Sequence, residues 1–450
     1  MKLLLATHLF FPDHRAGTEV LTLELARSFR EKGNEVIIVT CVRHAQTDSM
    51  VDPWLTQTDY DGFTVHQLNF GTAKMRDPVS HHFNSPKRVE ALLYLINQTN
   101  PDIVHFLHVH GFSAAAISET RKTGIPVFFT ATDYWSICSR TNLFKPHLQQ
   151  VCPGPESPLD CLRCSLPKAP AWVANVAMKL ANDSSSHFSG TLAQVNSLKR
   201  RTHEMAEHIN HATQIFGSTH FIVELLTRYG VQEKLTKVIP YGVRLGELPP
   251  ALSIPNSFDK SRPLIIGFIG SLTAIKGAHV LLEALSRFTA ADLPKIKVYI
   301  YGSPASDNRY MALLNQLASR FGETVKFMGT FPHEKIGSVL RNIHLCVVPS
   351  IWYESAPLVL CSSLAAQTPV LVSKMGGMTE IIRESENGFS FTSGESTELA
   401  TLLNRILQDS GILRKFSSGS SHTYRTPSDY ADDIAKAYRV ALVNCGKSEQ

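Results

Sequence analysis

One pattern limits the fold more than any other: short apolar runs alternate with amphipathic segments, and the alternation occurs twice. KLLLATHLF at 2–10 is followed by TEVLTLELARSFREKG at 18–33. There Val20, Leu21, Leu23, Leu25, Ala26 and Phe29 mark one face of a helix that should end at Gly33. EVIIVTCV, DIVHFLHV and PVFFTAT then read as strands, with SAAAISETRKT as a helix between the last two. Strands that are apolar on both faces and separated by helices predict a parallel sheet covered on both sides. The alternation stops at 244–263, RLGELPPALSIPNSFDKSRP, and restarts with PLIIGFIG, HVLLEALSRF and KIKVYIYG. LCVVPS, LVLCSSLAAQ and TPVLVSK continue it.

The chain has 450 residues, too many for one ordinary core. The expected organisation is a first α/β domain over 1–243 and a linker over 244–263. A second α/β domain over 264–425 and a terminal helical segment over 426–450 follow. The first domain carries an excursion at 138–170, rich in Pro and polar residues. A hydrophobic content of 43% and a charged content of 18% describe a globular chain. The net charge of +5 is small, and Lys199-Arg200-Arg201 is a short basic run that suits a solvated helix face. Nucleic acid is therefore not an expected partner. The N-terminal apolar run is broken by His8 and leads into Phe-Pro-Asp, so it reads as a first strand and not a signal peptide. No run approaches the ~18 apolar residues of a membrane span. The expectation is a cytoplasmic protein with at most peripheral membrane contact.

Several groups could carry chemistry. In GFIGSLTAIKGAHVLLEAL a glycine turn follows a strand, and Lys276-Gly277 lead into a helix whose N–H groups would favour a phosphate. Ile275 stands where a Walker loop needs its second Gly, and no G-x-G-x-x-G is complete, which argues against a nicotinamide-dependent dehydrogenase. Glu354 follows a buried strand, just before Leu358-Val359 open another helix. It reads either as an acceptor for sugar hydroxyls or as a carboxylate stabilised by the helix dipole. Gly376-Gly377 would let a ligand approach the backbone closely. His105, His108 and His110 lie at the end of a strand, and Asp133 and Trp135 at the end of the next. Asp133 and Trp135 could form a sugar platform or simply pack a loop. Cys138, Cys152, Cys161 and Cys164 crowd into one segment, which suits a structural zinc site, unconnected thiols or redox chemistry.

In order, these pieces resemble the retaining glycosyltransferases of family 4, which have the GT-B fold of two doubly wound Rossmann-like domains facing across a cleft. The resemblance rests on Ala16-Gly17-Thr18-Glu19, IPYGV at 239–243, GSLTAIKG at 270–277, WYESAPLVL at 352–360 and GGMTEIIRESENGF at 376–389. It implies transfer of a sugar from a nucleotide-sugar donor, UDP- or GDP-linked, to a hydroxyl acceptor with retention. No metal would be required for catalysis. The implied setting is cell-envelope polysaccharide or glycolipid assembly, with a glycan or lipid-linked sugar as acceptor and the last helix returning to the first domain.

The same resemblance implies residue roles. Gly270, Ser271, Lys276, Leu358, Val359, Ser362, Gly376 and Gly377 would hold the donor, with Lys276 neutralising its diphosphate. Glu354 and His108 would act at the transferred sugar. Gly17, Thr18, Glu19, His110, Asp133 and Trp135 would line the acceptor side. Two positions depart from the family pattern: Ser271 stands where Arg is frequent, and Ser362 where a second Glu usually grips the ribose. The Ser362 departure leaves a rival reading, a non-catalytic GT-B scaffold with a decayed donor site.

Overall fold

Along the central strands consecutive residues are buried, not alternate ones: Leu3, Leu4 and Leu5 in the first strand, and Leu345, Cys346 and Val347 in a later one. Such strands need helices on both faces, and the fold supplies them. The structure is a computed structural model and describes residues 1–41, 50–71, 77–165, 171–180, 191–304, 308–419 and 424–446. It divides into two units: Met1–Pro240 together with Ser428–Gln450, and Tyr241–Pro427.

Among the described residues, unit 1 contains β1 (Lys2–Ala6), β2 (Glu35–Cys41), β3 (Met50–Tyr60), β4 (Phe63–Phe70), β5 (Ile103–Phe106) and β6 (Val127–Ala131). β7 (Phe144–Lys145), β8 (Gln150–Val151), β9 (Gln214–Gly217) and β10 (Thr236–Val238) complete it. Its main sheet runs β10-β9-β6-β5-β1-β2-β4-β3 and is parallel except for the β3–β4 pair. The order reverses between β1 and β5, and the crevice beyond the carboxyl ends of such a pair is where ligands enter open α/β sheets. The helix Pro427–Asn444 packs into this unit. Its Tyr438 stacks on Phe29 and bonds to His105 Nδ1 at 2.6 Å, while His105 Nε2 meets Thr130 Oγ1 at 2.8 Å. His105 is therefore a buried structural histidine.

Unit 2 contains β11 (Leu264–Ile269), β12 (Ile296–Tyr301), β13 (Val325–Gly329), β14 (Leu345–Val348), β15 (Val370–Ser373) and β16 (Gly388–Phe391). The all-parallel order is β13-β12-β11-β14-β15-β16, reversing between β11 and β14. One core covers each face of the sheet. The stretch 244–263, expected as a linker, is part of this unit: Leu245 packs in one core and Phe258 in the other.

The excursion is more ordered than its composition predicts. It holds the β7–β8 hairpin and the helix Pro158–Ser165, and its last residues, 166–170, lie outside the described residues. No described helix is long and apolar enough to cross a membrane.

Candidate active site

In unit 2 the loops leaving β11 and β14 bring Lys276 and Glu354 together. The Glu354 carboxylate is gripped on one oxygen only. Lys276 Nζ at 2.7 Å, Ser350 Oγ at 2.7 Å and Trp352 Nε1 at 2.8 Å all donate to Oε1, and among the described residues none donates to Oε2. The Lys276 ammonium also lies 5.0 Å from the centre of the Trp352 ring, within cation–π range.

Two glycine turns hold this segment from behind. Gly277 has φ +74°, and a Cβ there would fall 1.9 Å from the Pro349 carbonyl oxygen. Gly376 has φ +58°, and its Cβ would fall 2.5 Å from the Glu354 carbonyl oxygen, which accepts the Gly377 N–H at 2.8 Å. The close approach expected of Gly376-Gly377 towards a ligand is thus an approach to the backbone of Glu354. In the helix Leu358–Ala365 the first N–H used is that of Leu360, to Pro357 O. This leaves the Leu358 and Val359 amides at its positive end. Gly270 donates to Tyr301 O, and a Cβ there would meet only the Phe268 ring, at 3.8 Å. Ser271 is exposed, whereas Ser362 is 1% exposed.

In unit 1 the loops after β1, β5 and β6 converge. His108 Nε2 donates to Asp133 Oδ2 at 3.0 Å, and its Nδ1 accepts the His110 N–H at 2.9 Å. The second bond fixes the tautomer, so both ring nitrogens are committed. Burial alone would raise the Asp133 carboxyl; the facing His108, with the Trp135 N–H, holds it below its usual value. His8 lies against His108 with ring centres 4.1 Å apart, and burial lowers its pKa to about 2, so it is neutral.

Glu19 stands 3.7 Å from His8 Nε2, too far for a hydrogen bond, and is 1% exposed. It is the third residue of the helix Gly17–Glu31, and burial raises its pKa above the usual carboxyl value. Thr18 Oγ1 donates to Thr132 Oγ1 at 3.0 Å, and Gly17 opens the helix. Trp135 is 2% exposed, walled in by His82, His110 and Arg201. It stands behind the site and offers no platform to an acceptor. Arg201 holds it there, bonding to His82 Nδ1 and to the carbonyls of Ile137 and Trp135.

Two family models cover most of the chain. Residues 16–242 match the glycosyl transferase 4-like domain, and residues 253–422 match glycosyl transferases group 1. The chain is a member of the glycosyltransferase 4-like family.

Among curated relatives, this chain is 26% identical over 262 residues to a D-inositol 3-phosphate glycosyltransferase of Streptomyces bingchenggensis, covering 52% of this chain and 56% of that one. It is 23% identical over 273 residues to the putative glycosyltransferase YtcC of Bacillus subtilis, covering 58% and 65%. The matches thus span less than two thirds of these relatives. Two solved structures share the two-domain GT-B architecture. Anabaena Alr3699/HepE in complex with UDP has a TM-score of 0.64 at 17% identity, covering 97% of this chain and 99% of that one. Sucrose-phosphate synthase from Thermosynechococcus elongatus has a TM-score of 0.67 at 16% identity, covering 98% and 99%.

Cys138, Cys152, Cys161 and Cys164 line one cavity of about 20 Å³, with Arg140, Lys145 and Asp160 beside them. Yet among the described residues no three His, Cys, Asp or Glu side chains are grouped to hold a metal ion. Of the three readings of these cysteines, the zinc site is not shown among the described residues. The cysteines are free thiols, with burial pushing Cys161 up to about 12 and Cys164 to about 11.

Sequence reasoning missed Ser350, Trp352 and His8, and misplaced Arg201. Ser350 and Trp352 sit four and two positions before Glu354, near enough to have been suspected. His8 lies far from its partners along the chain and gave no local signal, whereas Arg201, expected on a solvated helix face, is 2% exposed because it closes over Trp135.

Proposed function

We propose that this glycosyltransferase moves a hexose from a nucleoside-diphosphate sugar to a hydroxyl acceptor with retention, and that no metal ion takes part in the step. The observation that carries the reading is the one-sided grip on Glu354. Its free Oε2 can accept a hydroxyl of the transferred sugar, while Lys276 and the Leu358 and Val359 amides supply positive charge for the diphosphate. The UDP and UDP-glucose named in the Alr3699/HepE complexes make UDP-glucose the first donor to try, and GDP-linked sugars the next.

Unit 1 would serve the acceptor, a glycan or lipid-linked sugar in cell-envelope assembly, with Asp133 and exposed His110 at its carboxyl-end crevice. His108, with both nitrogens held, would orient the sugar and relay no proton in the step. In the step the bond from the anomeric carbon to the diphosphate oxygen breaks and a bond to the acceptor oxygen forms on the same face. The acceptor proton passes to the departing phosphate. Ser362 offers at most a neutral hydrogen bond where a Glu would offer a charged one, so nucleotide affinity should be modest. The intact Lys276–Glu354 pair disfavours the scaffold reading, since a decayed donor site need not keep it.

The test is ligand-detected NMR with UDP, GDP, ADP and their sugar conjugates, on wild type and on Lys276→Ala. One nucleotide should bind, and its signal should vanish in the variant. A folded protein that binds none at millimolar concentration would overturn the reading.

A further inference from the structure

We infer that Trp352 is a positioning residue for the donor sugar: its indole N–H, together with Ser350, locks Glu354 so that Oε2 alone faces the sugar. This rests on the donor site proposed above and goes beyond it, because it makes sugar recognition depend on a residue that itself touches no substrate.

A carboxylate on a flexible side chain can turn about its last bond and exchange its oxygens. Here that rotation is opposed. Three donors converge on Oε1 from three places: a strand exit (Ser350), the loop beyond it (Trp352) and the turn after β11 (Lys276). Ser350 is 1% exposed, so its hydroxyl is a fixed point. Lys276 is not, because it must also answer the charge of an arriving diphosphate. When it turns that way, Ser350 and Trp352 are the donors left on Oε1. The Trp352 ring lies under the ammonium through the cation–π contact and so touches both partners of the ion pair. Its N–H keeps the carboxylate aimed while the ammonium shifts.

The geometry separates two kinds of binding. A nucleoside diphosphate without its sugar needs Lys276 and the helix amides, but not the aim of Glu354. A nucleotide-sugar needs both. Trp352→Phe keeps an aromatic ring beside Lys276 and removes the N–H together with part of the ring, so its main effect falls on the second requirement.

The experiment uses the full chain, with the four indole N–H signals read by NMR and the Trp352 signal assigned by its loss in Trp352→Phe. Wild type is titrated with UDP, GDP, UDP-glucose and GDP-mannose. The Trp352 signal should move further with the nucleotide-sugar than with the matching nucleotide. Trp352→Phe should bind the nucleotide within about 2-fold of wild type and lose about 10- to 100-fold in kcat/KM for donor consumption, as expected when a bond to a charged group is removed. Trp352→His, which can offer a ring N–H again, should recover part of that loss. Wild-type kcat/KM in Trp352→Phe, or equal signal movement with and without the sugar, would overturn the inference and leave the donor site standing. Failure of wild type to bind any nucleotide would remove the donor site, and the inference with it.

Discussion

Asp133 Oδ2 lies 3.0 Å from His108 Nε2, while the other nitrogen of that ring accepts the His110 N–H. The Asp133 carboxylate therefore fixes the ring's orientation, in the way a buried acid orients a histidine in many sites. Asp133→Asn replaces a charged acceptor with a neutral one. The bond at stake is worth ~1.5–3 kcal/mol, so turnover should fall about 10-fold or more. Nucleotide binding, which is proposed to lie in unit 2, should stay within about 2-fold. Steady-state kinetics beside a nucleotide titration check this; unchanged kcat would remove His108 from the reaction.

His105 gives a pH dependence with a definite sign. Burial lowers its pKa from 6.5 to about 3. Below pH 6.5 the unfolded chain takes up a proton that the folded one refuses, so stability falls as pH drops from 6.5 towards 3. At pH 5 the loss from His105 alone is ~2 kcal/mol. His8, lowered to about 2, acts in the same direction. Thermal melts should show a lower Tm at pH 5 than at pH 7.5, and His105→Gln should flatten the difference. A Tm that rises on acidification would contradict the burial of these rings.

Parts of this fold were legible because they depend on short-range pattern. Apolar runs such as Leu3–Leu5 require cover on both faces, and Lys276 and Glu354 can be placed at strand ends from local sequence alone. The β3–β4 pair was not legible. It forms the antiparallel end of the sheet, and VDPWLTQTDY mixes polar residues and a Pro into the strand. The role of Trp135 was hidden for a different reason. An aromatic beside a carboxylate suits a sugar platform until Arg201, distant in sequence, is seen to close over it. The stretch 244–263 looks like a linker by its prolines, yet Leu245, Ile254 and Phe258 pack into the cores of unit 2 and the Leu252 N–H bonds to Arg341 O.

Gly277→Ala should destabilise unit 2. The left-handed backbone alone costs a non-glycine residue ~1 kcal/mol or more. The new Cβ would also fall 1.9 Å from the Pro349 carbonyl oxygen, so the turn and the Pro349–Ser350 segment could not both keep their positions. A loss of ~2 kcal/mol or more in urea unfolding is expected, with weaker nucleotide binding because Lys276 precedes this glycine. Gly394→Ala is the control. It shares a positive φ, +82°, but its Cβ would meet nothing within 4 Å, so it should cost only the backbone term. Equal losses in the two variants would show that the Pro349 contact contributes nothing.

The cysteines divide by environment, and thiol chemistry should divide them the same way. Cys445 is exposed. Burial pushes Cys41 and Cys361 up to about 12 and Cys346 to about 11, and Cys161 and Cys164 shift similarly. The thiolate is the reactive form, and at pH 8 a thiol with a pKa of 11 is ionised about one part in a thousand. A brief treatment with iodoacetamide at pH 8, read by peptide mass spectrometry, should label Cys445 well before these five. Unfolding in urea should bring them to the same rate. If Cys161 or Cys164 were labelled as fast as Cys445 in the folded protein, the cavity they line would have to be open and their thiols unshifted.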